Sequence, residues 1–229
     1  MDFALPHRSS PEMQQDCNRV PTEFLKLIEI DPCWIVIDKP SGLLSVPGRG
    51  EDRQDCIARR AESIWPEARI VHRLDQATSG LMVLARGLDN QRRLSRAFEL
   101  RQVNKGYVAD VQGRLLDDRG SVDLPLRCDW PNRPRQMVDP VQGRAALTHW
   151  SVMERFDNRT RVELRPVTGR SHQLRVHMLS IGHPILGDEL YMPAESSGGS
   201  TRLHLHATWL ELPHPECGKV RRFDSEVPF

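Results

Sequence analysis

Three short runs dense in aliphatic and β-branched residues, Trp34–Ile37, Leu81–Leu84 and Tyr107–Val111, constrain this chain more than any other feature. Each is too short for a well-packed helix and each is followed closely by a breaker or a polar residue, so each reads as a buried strand. Residues 146–153 and 161–165 add two candidate strands with partial alternation. Helical spacing is confined to three places. Ile57, Ala61 and Ile64 share a face in a stretch that Pro66 stops, and Leu94, Ala97 and Phe98 share one within 89–101. A third helix fits 172–180, just ahead of Gly182-His183-Pro184. Strands dominate and helices punctuate them irregularly, which is α+β and not the strict alternation of a doubly wound sheet.

Composition narrows the function classes. The 32 basic and 31 acidic residues leave a net charge of +1, which argues against a non-specific polyanion binder. The kind of base is more telling: four of the 32 are lysines (Lys26, Lys39, Lys105, Lys219) and 28 are arginines. A guanidinium grips phosphate bidentately and stacks on bases, as a lysine ammonium does not. A GC-rich coding bias raises arginine equally well. Aromatic residues make up only 6%, so no long stacking groove for single strands is indicated. Five scattered cysteines without a C-x-x-C pair indicate neither a zinc knuckle nor a disulfide framework, and they fit a reducing, cytoplasmic compartment. The polar stretch 1–20 lacks the apolar core of a signal peptide. No run approaches the roughly 20 apolar residues of a membrane span. Residues 1–23 read as an N-terminal arm, mobile or laid across the surface, 24–229 as one folded domain, and 193–201 as an exposed loop.

The sharpest polar segment is Val71–Gly80, VHRLDQATSG, running into the strand at Leu81. A polar loop held by a rigid strand is where catalytic groups concentrate, and it carries Arg73 and Asp75. Taken alone, a turn capped by Asp75, Thr78 and Ser79 accounts for the same residues and is the favoured reading. A second segment, Pro166–His177, reads as strand end, glycine turn and helix start. His172 and Arg175 share a helical face there, whereas His172 and His177 do not, so no two-histidine metal site is indicated. Around the second helix, Arg86, Arg92, Arg93, Arg96, Arg101 and Lys105 stand against only Asp89 and Glu99. Charge focused in this way is the footprint of phosphate contact, with a solvated helix face as the competing reading. The loop Asp129–Arg135, DWPNRPR, offers Trp130, Arg133 and Arg135 either to a folded RNA or as a cover for the core. No nucleotide-phosphate loop, dinucleotide fingerprint, serine-hydrolase elbow or deaminase zinc signature is present. Carboxylate, arginine and tyrosine chemistry remains, with no metal and no cofactor.

His72-Arg73-Leu74-Asp75 followed by Thr78-Ser79-Gly80-Leu81 resembles the signature of the RluA family of pseudouridine synthases. Four further pieces occur in the family's order. Ile37–Leu43 with Val46-Pro47-Gly48 resembles its opening motif, and Lys105–Ala109 its lysine-x-tyrosine strand. Thr168-Gly169-Arg170 with His172–His177 resembles its third motif, and Gly182–Asp188 the stretch that follows. The likeness runs from about residue 24 to near the C-terminus. Asp123–Leu126 with Cys128–Pro134 is most similar to the RluA branch itself, which modifies large-subunit rRNA and a tRNA anticodon stem-loop. Several sister branches carry an N-terminal S4 RNA-binding module; with only 1–23 ahead of the catalytic domain 24–229, none is expected here. Gly106 departs from the pattern, being unusually permissive for a strand, and 114–120 reads as a variable loop.

The resemblance implies a pseudouridine synthase fold: a mixed, mostly antiparallel sheet with flanking helices and a central RNA-binding cleft. It implies Asp75 as the nucleophilic carboxylate, by attack on the sugar C1′, addition to the uracil ring or abstraction of a sugar proton. Arg175 resembles the arginine paired with it; burial favours a neutral carboxyl group, and a guanidinium within reach offsets that. Tyr107 resembles the tyrosine packed against the uracil, where it helps remove the C5 proton. The target base must be extruded from folded RNA at a cost of a few kcal/mol, and Arg73 is the side chain to fill the vacated space. His72, Thr78, Arg170, His172, Gln173 and Arg133 are the remaining candidates for substrate binding. The expected partner is structured RNA, rRNA and tRNA, with no membrane and no obligate protein partner, and the expected state is a monomer. Two other classes fit less of the pattern: a metal-dependent phosphodiesterase using His72, Asp75, His172 and His177, and a catalytically silent RNA-binding or chaperone module.

Overall fold

The computed structural model describes residues 25–192 and 200–229. The expected N-terminal arm, and all of the expected 193–201 loop but its last two residues, lie outside the described residues. The chain runs β1 (Lys26–Ile30), β2 (Trp34–Lys39), α1 (Ile57–Ile64), β3 (Ala68–Ile70), β4 (Ser79–Arg86) and α2 (Leu88–Glu99). It continues through β5 (Asn104–Gln112), β6 (Arg119–Asp123), β7 (Leu126–Cys128), β8 (Gln136–Val138), β9 (Leu147–Arg155) and β10 (Arg159–Pro166). It closes with α3 (Gln173–Ser180), β11 (Leu205–Pro213) and β12 (Val220–Asp224).

The two most apolar runs become neighbouring antiparallel strands covered on both faces. Ile35 and Ile37 of β2 and Met82 and Leu84 of β4 face α1 through Ile57 and Ala61. Trp34, Val36, Leu81, Val83 and Ala85 face the other way, against Leu94 and Ala97 of α2. A strand buried on both sides has no polar face to alternate with, which is why these runs read as continuous.

One sheet of ten strands carries the order β1-β2-β4-β11-β5-β10-β9-β6, with β3 added beside β4 and β12 beside β11. Every described pair is antiparallel except β4 with β11, which touch only through His206 against Ser79 and Ala207 against Gly80. Gly80 has φ +114°, and a Cβ there would lie 2.4 Å from the Ala207 carbonyl oxygen. No other residue lets the two strands approach so closely. On the far side of this seam, Ala109, Val162, Leu164, Leu174, Met178 and Ile185 form a second core under α3. Tyr107 packs against the cores on both sides of the seam. The expected α+β class and mostly antiparallel mixed sheet are thus observed. β7 and β8 stand apart as a separate two-stranded hairpin.

Gly106 also has a local reason. A Cβ at that position would sit 2.0 Å from Trp209 Nε1, because the Trp209 indole crosses the strand there to donate to Glu163 at 2.8 Å.

Candidate active site

The loop ahead of β4 is fixed by backbone and by its neighbours, which leaves the Asp75 side chain available. Thr78 N–H donates to the Asp75 carbonyl at 3.1 Å, closing a turn without the carboxylate. Among the described residues no hydrogen bond reaches that carboxylate. The capped-turn reading of this segment therefore fails at the atom that matters.

The loop is stitched down by the segment after β2. Buried Lys39 donates to the carbonyls of Pro40, Leu43 and Gln76 at 2.9, 2.7 and 3.0 Å. Ser41 donates to the Ala77 carbonyl, Ser45 to that of Leu74, and Gly42 N–H to that of Gln76. Burial pulls the Lys39 pKa down to about 7, against the opposing pull of the Asp75 charge. Three carbonyls nevertheless match the three N–H bonds of the ammonium form. The opening sequence motif is thus the brace of the Asp75 loop.

Asp75 faces a cleft of about 510 Å3, whose lining includes Arg73, Tyr107, Lys105, Arg170, His172 and Arg175. That volume suits a single nucleoside. Arg175 Nη1 lies 3.8 Å from Asp75 Oδ2, and His172 Nε2 lies 4.0 Å from it. Arg175 is buried, and its fork belongs to another carboxylate: Nε and Nη2 donate to Asp188 at 2.7 and 2.6 Å. Asp188 in turn accepts the N–H groups of Leu190 and Tyr191. The expected Asp75–Arg175 pair is therefore a charge contact and not a hydrogen bond, and Asp188 orients the arginine. Tyr107 is half-buried on the cleft wall. Burial first, and the Asp75 charge second, push its hydroxyl above the usual phenol range, so the phenol is neutral.

The remaining candidates divide. Arg73 is exposed on the rim and Thr78 is buried at the cleft base. Arg170 lines the cleft while donating to the Ala145 carbonyl at 3.1 Å. His172 is the left-handed residue (φ 53°) that leads into α3, a strained conformation of the kind held at functional sites. Burial lowers its pKa. Gln173 is buried; its amide oxygen accepts from the Thr168 hydroxyl and the Arg170 N–H, and its NH2 donates to the Leu147 carbonyl and the Thr148 hydroxyl, so it shapes the wall. His72 accepts Val83 N–H at 3.0 Å and stacks on Phe98 at 4.6 Å, and burial pulls its pKa down to about 3. It builds the loop. Arg133 is outside the cleft, stacked 4.7 Å over Trp130 at the tip of the β7–β8 hairpin.

No motif announces Tyr191. Its hydroxyl accepts Gln136 N–H at 2.7 Å and lies 2.8 Å from His172 Nδ1, and the Arg175 guanidinium sits 5.1 Å over its ring. The four groups of the metal reading do not converge, since His177 is buried between Thr148 and the Leu124 carbonyl. Among the described residues the one donor cluster is Asp31, Cys33 and His214. There His214 Nδ1 accepts two backbone N–H groups and Nε2 faces Asp31 at 3.2 Å, which is a hydrogen-bonded turn brace.

A family model described as RNA pseudouridylate synthase matches residues 33–180. The dual-specificity RNA pseudouridine synthase RluA of Yersinia pestis is 50% identical over 196 residues, which is 85% of this chain and 95% of that protein. The enzyme of the same name from Escherichia coli K12 is 48% identical over 207 residues, 90% of this chain and 94% of that protein. The structure of human RNA pseudouridylate synthase domain containing 1 superposes with a TM-score of 0.77 at 26% identity, covering 92% of this chain and 86% of that one. Human domain containing 4 gives 0.72 at 28% identity, covering 89% and 88%. With most of the chain matched and these bacterial relatives covered almost end to end, the chain belongs to the RNA pseudouridylate synthase family, enzymes that isomerise uridine to pseudouridine in RNA.

Proposed function

We propose that this enzyme is dual-specific, modifying uridines in both large-subunit rRNA and a tRNA anticodon stem-loop, with Asp75 as its nucleophile. The observation that carries the assignment is the Asp75 carboxylate, left unbonded by its own turn and facing a nucleoside-sized cleft beside Arg175 and Tyr107. The bacterial relatives named above are called dual-specificity enzymes, which supports the pair of substrates. The reaction breaks the N1–C1′ bond, forms a C5–C1′ bond, and moves one proton from C5 while N1 gains one. Nothing is oxidised or hydrolysed, so carboxylate, guanidinium and phenol suffice.

In this reading Asp75 opens the reaction, with the Arg175 guanidinium as the positive charge beside it. Tyr107 stacks on the uracil and helps take the C5 proton. Arg73 fills the gap left by the extruded base, and Thr78, Arg170 and His172 line the bound nucleotide. His72 and Gln173 act one step back, by holding the loop and the wall. Arg133 with Trp130 meets RNA outside the cleft. Residues 24–229 form the single catalytic domain, which works as a cytoplasmic monomer. No helix among the described residues is long and apolar enough to cross a membrane.

Pseudouridine mapping of total RNA from cells with and without the gene tests the substrates. Loss of pseudouridine at both an rRNA site and a tRNA anticodon stem-loop site is expected. Loss in one class alone would contradict dual specificity, and loss in neither would contradict the proposal as a whole.

A further inference from the structure

The ring of His172 stands between the Asp75 carboxylate and the hydroxyl of Tyr191. Its Nε2 is 4.0 Å from Asp75 Oδ2 and its Nδ1 is 2.8 Å from Tyr191 Oη, with the two rings edge to face at 86°. A neutral imidazole carries one proton, and which nitrogen holds it depends on what the other nitrogen bonds. Tyr191 decides that. Its oxygen already accepts Gln136 N–H from β8 at 2.7 Å, and its single O–H is left to donate. With His172 Nδ1, 2.8 Å away, as the acceptor of that proton, the imidazole proton would sit on Nε2, the nitrogen that faces Asp75.

Other groups hold this arrangement still. Asp188 accepts Tyr191 N–H at 3.2 Å while gripping Arg175, whose guanidinium covers the Tyr191 ring. The charged groups facing His172 are Asp75, Arg175, Asp188 and Arg73. Burial, the largest influence, keeps the imidazole neutral, and burial likewise pushes the Tyr191 phenol up to about 12, so its proton stays in place.

We propose that Tyr191 is a positioning residue that locks His172 as the Nε2–H tautomer, giving the cleft a neutral donor aimed at the Asp75 carboxylate and at the nucleotide bound over it. Because the same hydroxyl accepts from β8, the lock also ties the β7–β8 hairpin, with Trp130 and Arg133 at its tip, to the reaction centre. Seating of the hairpin and orientation of His172 are one hydrogen-bonded unit. This deepens the reading of Asp75 as nucleophile and rests on it.

The test uses the full chain and its Tyr191→Phe variant, with an anticodon stem-loop RNA as substrate. Nitrogen-15 NMR of the histidine rings reads the tautomer directly, and it does so whether or not Asp75 is the nucleophile. Wild type should show His172 with a protonated Nε2 and a bare Nδ1; Tyr191→Phe should show a mixture. Turnover should fall roughly tenfold in kcat with KM within about twofold, a change of about 1.4 kcal/mol at the barrier. His172→Gln, whose amide NH2 can reproduce the Nε2–H donor, should keep more activity than His172→Ala, and adding Tyr191→Phe to it should cost little more. A wild-type His172 protonated on Nδ1, an unchanged kcat in Tyr191→Phe, or fully additive losses in the double variant would each overturn the proposal.

Discussion

Arg175 is held between two carboxylates of unequal closeness, and that inequality lets a buried guanidinium serve Asp75 in the role proposed for it. Asp188 takes its fork at 2.7 and 2.6 Å, while Asp75 meets only Nη1 at 3.8 Å. The arginine is therefore aimed at Asp75 without immobilising it. Asp188→Asn leaves a buried charge short of its partner and should destabilise the protein by about 3–5 kcal/mol in urea unfolding. Adding Arg175→Met removes the orphaned charge, so the double variant should regain much of that stability yet stay inactive. A double variant as unstable as the single one would contradict this division. His72 makes a different prediction. Its folded pKa of about 3 lies below the ordinary 6.5, so in that window the unfolded chain takes up a proton that the folded chain refuses. Stability should accordingly fall as pH drops from about 6.5 towards 3, and His72→Gln should flatten that part of the profile. An equally steep profile in the variant would place the histidine contribution elsewhere.

Among the elements, β5 and β11 meet under Trp209, and Gly106 is the residue that makes room. Gly106→Ala would put a methyl group 2.0 Å from the indole nitrogen and break its bond to Glu163, so a loss of about 1–3 kcal/mol is expected in chemical denaturation. Wild-type stability would show that Trp209 can move freely. In the sequence alone this permissive glycine is a departure; its reason is a side chain about a hundred residues away. That contrast runs through the fold. The strands at 34, 81 and 107 and the helix Ile57–Ile64 are legible because apolar spacing and Pro66 are local signals. β11 is not, because its inward residues include polar ones: His206 bonds Ser79 and Ser225, in a buried chain that ends on Asp38. β12 is hidden because only Phe223 of its five residues is buried. At the candidate site, Asp75, Tyr107 and Arg175 are singled out by ordered motifs. Lys39 and Asp188 stand inside such motifs without a role, and Tyr191 stands in none, because each acts through partners that only folding brings near.

At the scale of the whole molecule, a near-neutral chain must concentrate its positive charge where RNA lies. Arg86 is withdrawn from that task by its pairing with Glu67 at 2.6 Å. Arg96 remains exposed on α2, and Arg101 and Lys105 line the cleft itself. Replacing Arg96 and Arg101 by glutamine should weaken RNA binding and lower the salt slope by about 0.7–0.9 for each phosphate no longer neutralised, with little effect on turnover at saturation. An unchanged slope would assign these arginines to a solvated face. In the proposed mechanism the braced turn before β4 presents Asp75 to an extruded uridine. Release of tritium from C5-labelled uridine in an anticodon stem-loop RNA measures this most directly, since that proton leaves only when the base has been turned over. Asp75→Asn should bind the RNA with near wild-type affinity and release no tritium above background; sustained release by that variant would remove Asp75 from the reaction.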